Sequence, residues 1–318
     1  MCDFFFFLKE MRILVTGGSG MVGRTLQSFA TDHTWFFPTS KEMNLMDFDS
    51  IQSFIKKNNP NFVIHLAANV GGLYKNLAVR VDMLHDNLIM NENILTACYN
   101  NKITRGIFLC STCIFPKNPP AYPMTEDMML LGEPHPSNAS YAWSKRLLFF
   151  QCQNYNEERG CHYLCLIPTN IFGPHDNFSI ADGHVIAAVI HRFYVAKQQK
   201  TRLEIKTGTN SLRQFISACD VARTILSCLT RLDDISQRSP IIIAHKEHRL
   251  VDVIQKISKL FDHDNYLIID QELGQERKPC SFQRFTETFP NFKFDDFDQT
   301  LAKTVEWFQD HYHTDVRR

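Results

Sequence analysis

The feature that most constrains this chain is a glycine-rich turn that directly follows a short apolar run. Residues 13–15, Ile-Leu-Val, have the apolar, β-branched character of a buried parallel strand. The sequence GGSGMVG then satisfies GxGxxG and leads into an amphipathic helical pattern. Such a turn lets the backbone contact a pyrophosphate at the positive end of the helix. A plain loop also contains glycines, but the position between strand and helix favours a dinucleotide site. The predicted cofactor contacts here are Gly17, Gly18, Ser19, Gly20, Met21, Val22 and Gly23.

The second predicted strand, residues 35–37, indicates which dinucleotide is bound. An NAD site usually has an acidic residue after this strand, for the ribose 2′-hydroxyl. Here Ser40 and Lys41 follow, a hydroxyl and a cation that suit a 2′-phosphate, although Glu42 is close by. The sequence therefore favours NADP(H). Asp47, at the predicted start of the next helix, is also expected to contact the cofactor.

Three further apolar runs, residues 62–68, 107–110 and 163–167, are predicted to be parallel strands. Ligands of open α/β sheets bind at the carboxyl ends of the strands, so the residues there are candidate site residues. The fourth strand ends at Ser111, Thr112 and Cys113. The predicted cofactor contacts at these strand ends are Leu66, Ala67, Ala68, Leu109, Pro168, Asn170 and Ile171.

Tyr141 and Lys145 form a Y-x-x-x-K pair that shares one face of a predicted helix. A nearby lysine cation stabilises a phenolate, so we expect Lys145 to lower the pKa of Tyr141 and make it usable in proton transfer. Ser111, at the end of the fourth strand, would polarise the substrate carbonyl with which Tyr141 exchanges the proton. The pair alone could arise by chance among nine tyrosines.

Length, charge and cysteine content limit the classes of protein. A chain of 318 residues, 44% hydrophobic, is long enough for a large α/β unit with a second domain. A formal net charge of zero gives no general reason to expect nucleic acid or a membrane as partner. The 10 scattered cysteines predict reduced thiols in the cytoplasm, and Cys110-x-x-Cys113 lacks a second CxxC, so no metal is predicted. The start of the chain is a poor signal peptide and no run could span a bilayer.

We predict an α/β fold, a Rossmann-type doubly wound parallel sheet with a smaller mixed α/β C-terminal substrate domain. Residues 11–172 and about 214–244 would form the cofactor domain, and residues 173–213 and 245–318 the substrate domain; residues 1–10 would be an extension. His184 begins a helix with apolar positions 185–190, and Asp220 is the expected N-cap of a helix to Leu229.

Five motifs in this order, GGSGMVG, HLAA, STCIFP, YAWSK and PTNIFGPHDN, carry a family resemblance. The chain resembles the nucleotide-sugar epimerase–reductases of the extended short-chain dehydrogenase/reductase family from about Met11 to Phe215, and more weakly to Trp307. The resemblance implies NADPH-dependent conversion of GDP-4-dehydro-6-deoxy-D-mannose to GDP-L-fucose, by epimerisation at C3 and C5 and reduction at C4. It assigns the reduction to Ser111, Tyr141 and Lys145.

The same resemblance assigns the epimerisation to Cys113 and His184 as an acid/base pair. Inverting a carbon next to a ketone needs one group on each face, and a thiol and an imidazole both titrate near working pH. His184 is also expected to contact the cofactor, as is Lys145. The predicted contacts to a GDP-sugar substrate are Arg192, Lys206, Arg213 and Lys278.

Departures from the family pattern leave nucleotide recognition open. Lys206 stands where a tryptophan is common, Thr207-Gly208-Thr209 replaces Gly-x-Gly, and Leu273 replaces an acidic residue. The alternatives are another epimerase, dehydratase or 4-reductase, or a non-catalytic NADP-binding regulator. A dehydratase would have acidic groups at Thr112 and Cys113, and a regulator would tend to lose the Tyr141–Lys145 pair. The resemblance also implies a homodimer through the helices near 86–99 and 141–158.

Overall fold

The computed structural model describes residues 10–29, 33–271 and 275–318. Most of the predicted extension and Leu273 therefore lie outside the described residues. The strands are, in chain order, β1 (Arg12–Thr16), β2 (Thr34–Phe36), β3 (Phe62–His65), β4 (Arg105–Leu109), β5 (His162–Pro168), β6 (Asn170–Phe172), β7 (Leu203–Thr207), β8 (Leu212–Ser217), β9 (Ile241–Ile243), β10 (Glu247–Arg249) and β11 (Tyr266–Asp270).

The helices connect these strands in alternation through the first half of the chain. They are α1 (Met21–Gln27), α2 (Phe48–Asn58), α3 (Leu73–Ala78), α4 (Arg80–Asn100), α5 (Ala139–Arg159), α6 (Val185–Gln199), α7 (Ala218–Leu229), α8 (Leu232–Ile235), α9 (Leu250–Phe261), α10 (Gln283–Thr288) and α11 (Phe297–His311).

Six strands form one parallel sheet in the order β2-β1-β3-β4-β5-β9. From β1 the chain runs to β2 on one side of β1, and it then returns to form β3 on the other side of β1. The direction of winding therefore reverses between β1 and β3. A crevice forms at the carboxyl ends of the strands at such a switch point. The predicted fold class is confirmed.

Apolar residues fill both faces of this sheet, which explains why its strands are continuous hydrophobic runs. One core lies on the side of α2, α4 and α5 and includes Leu14 and Ile94. The other lies on the side of α1 and α7 and includes Val15 and Ile225. Phe285 of α10 packs in this second core, although the predicted boundaries put α10 in the substrate domain.

The remaining elements form a smaller mixed layer beyond the carboxyl ends of the large sheet. It contains a three-stranded sheet, β10-β8-β6, and a parallel pair, β11-β7. A third core, which includes Ile190, Ile257 and Phe308, joins α6, α9 and α11.

The start of α7 corrects one prediction. Ser217, not Asp220, is the N-cap, and its hydroxyl accepts a hydrogen bond of 2.8 Å from the amide of Asp220. The Asp220 carboxylate instead pairs with Arg223 and accepts the amide of Asp295, 3.1 Å away. A hydroxyl and a carboxylate three residues apart are both good capping groups, and the sequence did not distinguish them.

Candidate active site

A cleft of about 840 Å³ lies between the carboxyl ends of β1, β3, β4 and β5 and the smaller layer. Most predicted site residues line this one cleft. They are Gly17, Gly18, Ser19, Gly20, Met21, Val22, Gly23, Ser40, Leu66, Ala67, Ala68, Leu109, Ser111, Cys113, Tyr141, Lys145, Pro168, Asn170, Ile171, His184, Arg213 and Lys278.

The glycine turn brings backbone close to backbone at the switch point. Gly17 has φ of +72°, and a Cβ there would lie 2.7 Å from the amide nitrogen of Ala67. A Cβ on Gly23 would lie 2.6 Å from the Cα of Gly18, so α1 packs tightly under the turn. Gly20 caps α1 without a side chain, which leaves the amides of its first turn directed to the cleft. This cradle fits the diphosphate of a dinucleotide.

In the loop after β2, the acidic residue Glu42 is hydrogen-bonded within the loop itself. The Glu42 carboxylate accepts hydrogen bonds from the amide and hydroxyl of Thr39, at 2.8 and 2.9 Å, and these lower the pKa of Glu42. Ser40 lines the cleft beside this loop, whereas the exposed Lys41 lies outside the lining.

A buried hydrogen-bond network connects the cofactor turn to α5. The Thr16 hydroxyl lies 2.8 Å from His65 Nδ1 and accepts the Ala67 amide at 3.3 Å. His65 Nε2 lies 3.0 Å from Asn91 Oδ1, and Asn91 Nδ2 donates to the carbonyl of Ser144 at 3.3 Å. Burial lowers the pKa of His65 to about 3, with a smaller contribution from the Lys145 cation. The neutral imidazole thus joins β1 and β3 to the helix that carries Tyr141.

Lys145 is only 1% exposed, and its ammonium nitrogen donates to the carbonyl of Leu109 at 2.8 Å. The same nitrogen lies 5.7 Å from the centre of the Tyr141 ring. Burial lowers the pKa of Lys145, while nearby thiols, Cys110 first, oppose that shift. The lysine is therefore held between the end of β4 and the phenol.

The expected lowering of the Tyr141 pKa is wrong for the net shift. Burial raises the pKa of Tyr141 well above its ordinary value, and the thiols of Cys113 and Cys110 raise it further. Two facts explain the difference: the ring is 8% exposed, and the lysine donates to Leu109 rather than to the phenol oxygen. Tyr141 consequently holds its proton at neutral pH.

Ser111 and Cys113 follow β4 on a short turn that faces Tyr141. The Cys113 amide lies 3.4 Å from the Ser111 hydroxyl oxygen, which caps this turn. Burial raises the pKa of the Cys113 thiol, whereas hydrogen bonding to Ser111 and the cation of Lys278 act in the opposite direction.

His184 is the N-cap residue of α6 and reaches the cleft from the smaller layer. Asp176, which the sequence reasoning missed, lies in the same corner and is 4% exposed. Burial raises the pKa of Asp176, and His184, the Asn177 amide and Arg317 oppose this shift. The signal was present, since Asp176 belongs to the quoted GPHDN motif.

Two of the predicted substrate cations line the cleft. Arg213 Nη1 donates to the carbonyls of Leu212 and Glu276, at 2.8 and 2.9 Å. Lys278 is half-buried, and burial and the Arg213 charge lower its pKa. Together they form a positive wall opposite the sheet.

Three other predicted residues lie outside the lining, as Lys41 does. The Asp47 carboxylate caps α2 by accepting the amides of Asp49 and Ser50. The Arg192 guanidinium bonds to the carbonyl of Glu204, and Lys206 is exposed on β7.

In the described parts of the chain, no group of three His, Cys, Asp or Glu side chains could hold a metal ion. Within those same parts, no helix is long and apolar enough to cross a membrane.

A family model described as the NAD dependent epimerase/dehydratase family matches residues 13–244. The chain belongs to this family, in agreement with the cleft and the parallel sheet.

Its similarity to particular members extends over nearly the whole chain. It is 36% identical to GDP-L-fucose synthase from Dictyostelium discoideum, covering 96% of this chain and 98% of the relative. It is 34% identical to a probable GDP-L-fucose synthase from Drosophila melanogaster, covering 95% and 98%. A crystal structure of a GDP-L-fucose synthetase from Naegleria fowleri bound to NADP superposes with a TM-score of 0.87, at 36% identity, covering 96% of this chain and 94% of that one. The resemblance inferred from the motifs is confirmed.

Proposed function

We propose that this chain is an NADPH-dependent epimerase–reductase that converts GDP-4-dehydro-6-deoxy-D-mannose to GDP-L-fucose. The observation that carries this proposal is that Ser111, Cys113, Tyr141 and His184 line one cleft with the glycine turn. Bound NADPH supplies a hydride. The side chains of this chain supply the protons and orient the sugar.

Reduction of the C4 ketone requires a proton donor for the developing alkoxide. Tyr141 suits that role because its phenol is protonated at neutral pH and lines the cleft with Ser111 and Lys145. Ser111 would donate a hydrogen bond to the same oxygen, and Lys145 would stabilise the phenolate that remains after proton transfer.

Epimerisation at C3 and C5 requires a proton to leave one face of the ring and another to arrive at the opposite face. The adjacent ketone acidifies both positions, because charge spreads onto oxygen in the enolate. Cys113 comes from the sheet and His184 from the smaller layer, so the two are suited to opposite faces. We assign them the two proton transfers.

The substrate and cofactor would occupy opposite ends of the cleft. Residues 11–172 and about 214–244 would bind NADPH, and residues 173–213 and 245–318 the sugar nucleotide. Arg213 and Lys278 would bind the GDP diphosphate, since a planar guanidinium and an ammonium both pair with phosphate oxygens. Ser40 and the neighbouring Lys41 would bind the 2′-phosphate. The Glu42 carboxylate already accepts two hydrogen bonds from Thr39, which makes it less available to a ribose 2′-hydroxyl and supports NADPH over NADH.

We further propose a homodimer that packs through the outer face of α5. Trp143, Leu147 and Phe150 are 43%, 43% and 50% exposed and recur at i, i+4 and i+7. Such a stripe on one helix is typical of a helix-packing surface. Phe150→Glu should shift the sedimentation coefficient from dimer to monomer, whereas Gln153→Glu, at an exposed position of α5 outside this stripe, should not. A wild-type monomer would refute the dimer.

The decisive experiment is product analysis after incubation with NADPH and GDP-4-dehydro-6-deoxy-D-mannose. The expected result is equimolar NADPH oxidation and GDP-L-fucose, identified by proton NMR of the sugar ring. Reduction without inversion at C3 and C5 would refute the epimerase and favour a 4-reductase. Binding of NADPH without turnover of this or other nucleotide sugars would refute catalysis and favour a regulator.

A further inference from the structure

Residues 314–318 are far from the glycine turn in sequence, yet one of their side chains reaches the cleft. Arg317 lines the cleft, and its Nη2 donates to the carbonyl of His175 at 2.6 Å. The Arg317 carbonyl accepts the amide of Phe178 at 2.8 Å, and Asn177 and Arg317 form an isolated parallel bridge. Main-chain and side-chain contacts thus hold this segment against the loop after β6.

A second contact fixes the same segment to α1. Asp315 forms an ion pair with Arg24, which lies four residues after Gly20. Asp315 also lies 3.9 Å from Nδ1 of His175. Arg317 is two residues beyond Asp315, and its charge interacts with that of Arg24, so its guanidinium enters the cleft on the side of α1.

The charges around Arg317 indicate an anionic ligand. The Asp176 and Asp315 carboxylates attract the Arg317 charge and Arg24 repels it, but among the described residues Arg317 forms no ion pair, and Asp315 pairs with Arg24 instead. The hydrogen bond to the His175 carbonyl orients the guanidinium without neutralising its charge. Burial lowers the pKa of Arg317, and a phosphate would relieve that cost.

We propose that Arg317 binds the dinucleotide diphosphate, at its nicotinamide-side phosphate, and completes the anion site formed by the amides of α1. Arg317 shares its corner with Asp176 and His184 rather than with Ser40, which favours the nicotinamide side over the adenine side. Lys278 lies near Arg213 and Cys113, whereas Arg317 lies near Asp176, so the diphosphate of the sugar nucleotide is left to Arg213 and Lys278. This inference rests on the proposed use of NADPH.

The test compares three ligands on wild type and Arg317→Gln by fluorescence titration. Charge-assisted contacts to phosphate predict that Kd for NADPH and for 2′-phospho-ADP-ribose rises about tenfold in the variant. Adenosine 2′,5′-bisphosphate lacks the nicotinamide-side phosphate, so its Kd should change less than about twofold. Arg317→Lys should recover part of the affinity, because it keeps the charge but not the planar fork.

The matched control is Arg318→Gln, which removes the neighbouring cation, whose guanidinium carbon lies 4.4 Å from the centre of the Tyr312 ring. It should leave all three Kd values unchanged. Equal losses for all three ligands in Arg317→Gln would indicate displacement of the whole segment and overturn the proposal, as would no loss for NADPH. If Arg317→Gln is unstable, the Kd values of Arg317→Lys for the same three ligands decide. A loss of affinity for NADPH and 2′-phospho-ADP-ribose alone would support the proposal. Failure of the wild type to bind NADPH would instead refute the proposed function.

Discussion

The ammonium nitrogen of Lys145 lies 2.8 Å from the carbonyl oxygen of Leu109, so α5 is fastened to the carboxyl end of β4. Ser111 and Cys113 follow that strand directly, and Tyr141 lies one turn before the lysine on α5. The groups proposed for reduction therefore share one junction with Cys113, whereas His184, the second group proposed for epimerisation, lies on the smaller layer. Residues on firm elements hold catalytic geometry better than residues on free loops.

Lys145→Met should lower the rate of C4 reduction by about 10²–10⁴-fold, because the phenolate left by proton donation loses its cation. NADPH oxidation with a pre-epimerised ketosugar nucleotide would measure this step alone. Lys117→Met, on the loop after β4 and outside the cleft lining, serves as the control and should keep the wild-type rate. A rate within about twofold of wild type in Lys145→Met would contradict the role.

Tyr141→Phe and Cys113→Ser should separate the two reactions. Loss of the phenol removes the donor for C4, so reduction should fall by about 10²–10⁴-fold while solvent-deuterium exchange at C3 and C5 continues. Loss of the thiol should block that exchange. Mass spectrometry of the recovered sugar measures exchange, and Tyr155→Phe, on the same helix outside the cleft, is the control. Equal loss of both activities in both variants would show that the roles are not divided.

Lys278→Met should make the Cys113 thiol less reactive. The lysine cation opposes the burial that raises the pKa of Cys113, so its removal should raise that pKa further. At pH 8 the rate of alkylation by iodoacetamide should fall roughly threefold to tenfold, in proportion to the thiolate fraction. Peptide mass spectrometry would follow Cys113 itself. The exposed Lys246 provides a matched Lys→Met control, and an unchanged rate in Lys278→Met would exclude the electrostatic effect.

His65 should contribute to destabilisation in acid. Its pKa is lowered to about 3 in the folded state, from about 6.5 when unfolded, so only the unfolded chain binds the proton between these values. This residue alone should therefore reduce the free energy of unfolding by about 1.4 kcal/mol for each pH unit below 6.5, down to about pH 3. Urea denaturation at pH 7, 5.5 and 4.5 would measure the slope. His65→Gln should be less pH-dependent than wild type by that amount, whereas the exposed His313→Gln should match wild type. Parallel slopes for His65→Gln and wild type would refute the assignment.

The large sheet could be predicted because its strands are uninterrupted apolar runs, each followed by small or polar residues. Val15, Ile64 and Ile107 are buried on a sheet covered on both faces, and that burial leaves a direct mark on sequence. The positions of Ser111, Tyr141 and Lys145 followed from strand ends and from helical spacing. These are local sequence patterns, and the structure has the strands and the helix that they predict.

What could not be predicted depends on contacts between distant segments. The direction of the Tyr141 pKa shift depends on burial and on where the Lys145 ammonium points, and neither is encoded in a four-residue spacing. Arg317 carries no motif, and its approach to His175 requires the final turn of the smaller layer to be in place. Asp47 and Arg192 have suitable chemistry for a ligand, but each is used by a neighbouring main chain instead.

The two sides of α5 have a consequence for how this chain can change over time. Tyr141 and Lys145 point inward, while Trp143 and Leu147 point outward within the same turn and a half of helix. A substitution that rotates or tilts the helix to suit its outer surroundings also displaces the phenol and the ammonium. Substitutions on the exposed face of α5 are therefore constrained by the geometry that the buried face needs. Exposed and buried positions in this stretch should vary together rather than independently.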